Sequence, residues 1–465
     1  MQLTIRLRRW AVASALLALG VSVAQAKDAE EDERWNAYGQ ATYIRNIHDA
    51  FPAAYTNLNG SPNSLLPEKE RSWSATATAF LGVRPWGGGE AFFVPEMIAQ
   101  TGFSNLRGLG GSVQNGELEK TGFSHPIFYR SRLFLRQTWN LGGESSRVES
   151  APMQLAKSVQ SRRFVLTAGN LAIIDIFDRN AYAGDIRQQF LSMNFATYAA
   201  YDFGADARGY SWGIAGEYYY DEWALRAGRF LVPRLPNVLA LNHQFFKYYA
   251  DQVELERQHR LFGRPGKLQV LGYRNVAYMG RWDDASAALR ADPGKNAANC
   301  VDYNYGSSNG SAPDLCWVRG RHVKVGLGVS LEQSLTEDIG LNLRAMKSDG
   351  RSEVDAFESA DRSVALALLV RGARWARAQD SVGVGFAQNW ISQEHANYLG
   401  MGGVDAFIGD GRIRNRPERA VEVFYNLALA KFLWLTLDLQ HVENPAYNAD
   451  RGPVSIYGFR VHVEF

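Results

Sequence analysis

The last nine residues, Tyr457-Gly458-Phe459-Arg460-Val461-His462-Val463-Glu464-Phe465, alternate between apolar and polar side chains and stop on an aromatic. Side chains in a strand repeat with period two, so Tyr457, Phe459, Val461, Val463 and Phe465 share one apolar face, opposite Arg460, His462 and Glu464. Such a segment fits the edge of a soluble sandwich or the wall of a barrel in lipid. The rest of the chain decides between them.

At the other end, Arg6, Arg8 and Arg9 precede an apolar run from Ala11 to Val23 and a small-x-small site, Ala24-Gln25-Ala26. This is the pattern of a secretory signal peptide over residues 1–26, with the mature chain expected to start at Lys27. Arg8-Arg9 is not continued as a twin-arginine signal. Beyond Ala26 the best apolar run, Val364 to Val370, has seven residues, against the ~18 that a membrane helix needs. No Cys follows the cleavage site, so a lipoprotein anchor is not expected. A closed barrel is the other structure that crosses lipid with every backbone group paired.

The second half of the chain shows strands most cleanly. Val323, Val325, Leu327, Val329 and Leu331 alternate with polar or small residues, as do Ile339, Leu341 and Leu343 after the turn Thr336-Glu337-Asp338. The pattern recurs at Val421, Val423, Tyr425, Leu427 and Leu429, then at Leu433, Leu435, Leu437 and Leu439. Short turns at 220–222, 263–266, 336–338 and 430–432 alternate with long polar connections, notably 283–320 and 394–419. That asymmetry belongs to a transmembrane antiparallel β-barrel with short periplasmic turns and long extracellular loops. Forty-four glycines and 12% aromatic residues suit strands that are apolar on one face. The formal charge of +2 falls to −1 without the three signal arginines, so neither a nucleic-acid surface nor a polybasic membrane patch is indicated. We expect one barrel domain over 27–465, with 16 strands (18 possible) and a short periplasmic extension at its acidic start, Asp28 to Glu33.

Cys300 and Cys316 both lie in the long connection 283–320. In an exported chain this favours a loop disulfide, worth ~3 kcal/mol by the chain-entropy estimate. Two thiols without a His pair make an incomplete metal-ligand set, so no metal is expected.

The stretch Arg163 to Asp284 contains Gly169-Asn170-Leu171, Asp175-Ile176-Phe177-Asp178, Asp206-Ala207-Arg208-Gly209-Tyr210, Trp212-Gly213, Leu225-Arg226-Ala227-Gly228, Gln252-Val253-Glu254-Leu255-Glu256 and Pro265-Gly266-Lys267. Pro95-Glu96, Arg132-Leu133-Phe134-Leu135-Arg136, Gly385-Phe386-Ala387-Gln388-Asn389-Trp390 and Asn444-Pro445-Ala446-Tyr447 lie on either side of it. Together these resemble the carbohydrate-selective porin family (OprB type) of Gram-negative outer membranes, over nearly the whole mature chain. The resemblance implies a 16-stranded barrel in the cell outer membrane and passive diffusion of sugars, with no cofactor. The tail likewise resembles the closing strand of outer-membrane barrels, whose terminal aromatic is read by the barrel-insertion machinery. Partners expected are therefore sugars, outer-membrane lipids and that machinery, with monomer and homotrimer both open.

A sugar offers hydroxyls and an apolar C–H face, so its channel needs charged groups and aromatic rings. With Leu133 and Leu135 turned outward, Arg130, Arg132, Phe134 and Arg136 are expected in the lumen, as an arginine ladder or as wall charges neutralised by neighbours. If Asp221-Glu222 is a two-residue turn, Glu217 lies opposite Arg226 on the polar face, a pairing read as wall structure before sugar site. Asp175, Asp178, Arg179, Asp185 and Arg187 crowd a long segment between Asn170 and Tyr210, read either as a loop folded into the pore or as an ordinary surface loop. Trp212, Tyr218, Tyr219, Tyr220 and Trp223 read as an interfacial girdle. No nucleophile-base pair is evident, so an enzyme is not expected. The expected function is saturable diffusion of mono- and disaccharides into the periplasm, the alternative a general porin or an export channel for polysaccharide or small solutes.

Overall fold

The computed structural model describes residues 32–294, 300, 309–356 and 359–465; the predicted signal, 1–26, lies outside them. Sixteen strands form one closed antiparallel barrel. They are β1 (Trp35–His48), β2 (Glu70–Val83), β3 (Gly89–Thr101), β4 (Ile127–Val148), β5 (Lys157–Leu171), β6 (Ser211–Tyr220), β7 (Trp223–Phe230) and β8 (Tyr249–Leu261). The circuit continues through β9 (Arg264–Met279), β10 (Gly320–Ser334), β11 (Ile339–Ser348), β12 (Arg362–Arg371), β13 (Ser381–Trp390), β14 (Glu418–Ala430), β15 (Leu433–Glu443) and β16 (Val454–Glu464). Each strand pairs with its neighbours in sequence, and β1 pairs with β16, which leaves no open edge. The strand number is sixteen, not eighteen.

The connections sort by end. Segments 84–88, 149–156, 221–222, 262–263, 335–338, 372–380 and 431–432 lie at one mouth, and 49–69, 102–126, 172–210, 231–248, 280–319, 349–361, 391–417 and 444–453 at the other. By the rule for such barrels the first mouth is periplasmic and the second extracellular. No helix of the described residues is long and apolar enough to cross a membrane.

Period-two alternation puts Leu133, Leu135, Val325, Leu327, Val421, Val423, Leu437, Leu439, Tyr457 and Phe459 on the outer face, each exposed as lipid-facing groups must be in the isolated chain. Trp35, Trp86, Trp139, Tyr220, Trp223, Phe262 and Phe432 form an aromatic ring near the periplasmic turns. Tyr219 is not part of it, because alternation turns it into the lumen between outward Tyr218 and Tyr220; its hydroxyl bonds Glu217 at 2.6 Å. At the seam, Gly39 and Phe465 exchange backbone bonds of 2.6 and 2.9 Å. The Phe465 ring covers Gly39 so closely that a side chain at position 39 would overlap it.

One expectation fails at a bulge. Val94 pairs with Arg132 but Pro95 pairs with Arg130, leaving Ser131 as the extra residue of β4. Ser131 is buried and its hydroxyl donates to the Val94 carbonyl at 2.9 Å. The extra residue reverses the alternation beyond it. Tyr129 therefore faces the lumen, and Arg130 stands on the exposed outer face with its guanidinium 5.1 Å from the Trp212 ring centre. Arg130 is not a lumen residue.

Candidate functional site

The lumen is filled from the extracellular side by segments 102–126 and 172–210. Their backbones supply the donors that lumen-facing carboxylates need: Glu418 accepts from Gly110 and Gly111, Glu422 from Leu191 and Ser192, and Glu254 from Asp178. Lumen-facing arginines do the converse. Arg344 donates to the Ala196 carbonyl and Arg460 to those of Ile186 and Gln189. Glycine in the wall makes room for loop aromatics, since a Cβ on Gly385 would lie 2.5 Å from the Phe195 ring. The segment 172–210 is thus a loop folded into the barrel, and it descends far: Gln188 bonds Glu464, and Lys267 bonds the Arg179 carbonyl, both near the periplasmic mouth.

Glu254, Glu418, Glu422, Arg344 and Arg460 are covered completely by these loops. Along β4 to β6, by contrast, lumen-facing side chains stay partly exposed, among them Arg132, Arg136, Arg163, Glu217 and Tyr219. Arg132 grips Asp175 of the inward loop through two bonds, 2.6 and 2.7 Å, and lies 5.1 Å from the Tyr210 ring centre. Arg136 lies 5.3 Å from the Phe134 ring and 5.5 Å from Phe92, with one nitrogen donating to the Met153 carbonyl at 2.9 Å. Met153 belongs to the 149–156 turn, which folds back under the barrel and packs Leu155 with Phe92 and Phe134. Arg163 lies 3.8 Å from the Tyr219 ring centre. Three guanidinium groups therefore stand in the lumen, each laid on an aromatic ring and each on a residue that keeps part of its surface exposed.

The other expected residues divide. Phe134 is buried at 3% exposure, so its ring supports Arg136 and does not itself present an open face. Asp178 is also buried; it accepts from Arg344 at 3.0 Å and from Thr197 at 2.8 Å. Burial raises the Asp178 carboxyl despite the pull of Arg344. It anchors the loop and is not open to solute. Arg179 is exposed at the loop's lower turn. The β6–β7 hairpin has the register derived from its two-residue turn, with Glu217 opposite Arg226; Arg226 also bonds Glu254 and Glu256 at 2.7 and 3.0 Å. Cys300 and Cys316 are joined, with Cα atoms 6.4 Å apart, in the 280–319 loop.

A second charge cluster, of which the sequence pointed only to Arg187 as part of the charged loop, fixes the loops against β3. Glu96 accepts from Lys120 at 3.1 Å, Arg187 at 3.0 Å, Thr78 at 2.7 Å and the Tyr129 hydroxyl. Glu117 pairs with Arg187 at 2.8 Å and Lys120 at 3.1 Å. Burial disfavours these charges, but Arg187 and Lys120 more than offset it for Glu117, whose carboxyl lies below its ordinary range. Removing one member of such a buried set leaves a charge uncompensated, at a cost of about 3–5 kcal/mol. Beyond Arg187 in the charged loop segment, the sequence signal was Pro95-Glu96 inside a strand and the three-residue spacing of Glu117 and Lys120.

A sixteen-stranded barrel, apolar outside and charge-lined within, with loops folded into its bore, is the architecture of outer-membrane porins. The family model for carbohydrate-selective porins, OprB family, matches residues 81–465, and the chain belongs to that family. Among solved structures, the high-pH form of Pseudomonas putida OprB superposes with a TM-score of 0.63 at 13% identity, covering 93% of this chain and 94% of that one. The outer-membrane channel DcaP of Acinetobacter baumannii gives 0.49 at 8% identity, covering 95% and 100%. These likenesses concern the fold. No curated protein matches the chain by sequence.

Proposed function

We propose that this porin carries mono- and disaccharides passively and saturably across the outer membrane into the periplasm, past Arg132, Arg136 and Arg163. The observation that supports this reading is the guanidinium row itself, three partly exposed lumen arginines each held on a ring. The guanidinium nitrogens not taken up by Asp175 and the Met153 carbonyl are donors that sugar hydroxyls can accept from. The Asp175 carboxylate beside Arg132 adds an acceptor, so one hydroxyl can donate to it while another accepts from the arginine. Neutral solutes with several hydroxyls gain from such a row, whereas simple ions gain only from its charge.

The test is single-channel conductance in planar bilayers with added sugars. Wild type should show ionic current reduced by sugar in a saturable way, and Arg132→Ala or Arg136→Ala should weaken that block by about 10- to 150-fold, as loss of one charged hydrogen bond of about 1.5–3 kcal/mol implies. Both variants should also shift ion selectivity away from anions. Unchanged block in both would remove these arginines from the path, and a channel indifferent to every sugar would favour a general porin.

A further inference from the structure

The outer face carries cations that the channel does not use. On β11 the outward residues run Leu341, Leu343, Ala345 and then Lys347; on β12 they run Leu368, Leu366, Val364 and then Arg362. Lys347 and Arg362 pair directly across the two strands, both are exposed, and neither has an ion-pair partner among the described residues. Like charges facing each other on an antiparallel pair repel and destabilise it. Arg274 of β9, also exposed, sits opposite Val325 on β10, two residues from Leu327, which is the partner of Lys347. Its neighbour Asp251 is already committed to Arg229 through bonds of 2.6 and 2.9 Å. Trp390 lies beside Arg362 on β13.

We propose that Lys347, Arg362 and Arg274 form a docking site for the phosphate groups of the phosphorylated glycolipid in the outer leaflet. The position argues for lipid: the cations end an apolar stripe at the extracellular side, so a molecule with acyl chains below and anionic groups above matches both parts at once. Charge complementarity argues for phosphate, which arginine binds through its fork and which neutralises the opposed pair. An aromatic at headgroup level fits the same boundary. The proposal rests on the outer-membrane placement and is independent of what passes through the lumen.

Native mass spectrometry of the folded full chain in mild detergent tests it, with three probes: bisphosphorylated lipid A, its dephosphorylated form, and phosphatidylglycerol. Wild type should retain the bisphosphorylated lipid at least tenfold more tightly than either of the others, and Lys347→Gln with Arg362→Gln should remove that preference. Heat-modifiable mobility should show both proteins folded, and sugar block should be unchanged because both side chains point away from the bore. Equal retention by the double variant would overturn the site. Equal binding of phosphatidylglycerol would overturn its assignment to the glycolipid.

Discussion

Single residues decide what this wall presents to each side. Arg130 and Arg132 lie two apart and would share a face in a regular strand, yet Ser131 sends them to opposite sides of the barrel. Alternation reads through a sequence easily, whereas a bulge has no local signature when its residue is an ordinary serine, so Arg132 and Arg136 were legible in the lumen and Arg130 was not. Gly39 is another such position. Its small size serves close approach, because the Phe465 ring lies over it. Gly39→Val should lower the yield of heat-modifiable barrel in refolding from urea, and adding Phe465→Ala should restore it by removing the overlapping ring; no recovery in the double variant would refute the steric account. In cells, loss of Phe465 should impair insertion while leaving export and precursor processing intact. For the cysteines, non-reducing digestion and mass spectrometry should yield one cross-linked peptide carrying Cys300 and Cys316, and free thiols at both positions would contradict it.

At the scale of elements, strands and turns were readable and the inward loops were less so. Strands repeat every two residues, and a two-residue turn fixes hairpin register by arithmetic, which is why Glu217 could be placed against Arg226. Loop segments have no such period. Their lumen contacts, such as Glu96 with Arg187 or Glu422 with Leu191, join residues far apart in the chain and follow only from closure. The extracellular loops are also joined to each other. Helix Trp282–Ala291 and helix Gln393–Gly400 meet where His395 stacks on Trp282, ring centres 3.9 Å apart, with Asp361 and Asp405 at 3.3 and 3.4 Å. Burial disfavours the imidazolium, but the two carboxylates more than offset it and raise the His395 pKa to about 9. A raised folded-state pKa gives stabilisation that is complete below about 6.5, the unfolded value, and is lost as pH climbs through 9. Hydrogen exchange of 282–291 and 393–400 should therefore accelerate over that window in wild type. In His395→Gln it should be fast throughout; a wild-type profile flat to pH 10 would exclude the latch.

For the whole molecule, composition and charge indicated no polybasic membrane patch in the sequence. Lys347, Arg362 and Arg274 are scattered through the chain and become neighbours only because strand pairing brings them together. The same topology leaves its mark on assembly. Fifteen of the sixteen pairings join strands consecutive in sequence, so each can form as its hairpin or neighbouring segment arrives. The last joins residues such as Thr42 and His462, whose side chains bond at 2.8 Å across a separation of 420 residues. By the logarithmic loop estimate this closure costs about 3 kcal/mol more entropy than a ten-residue hairpin. Until it is made, the growing sheet carries two bare margins able to zip onto any other strand. The barrel therefore behaves as a fabric woven locally and fastened by one clasp, and its vulnerable interval is the time between weaving and fastening.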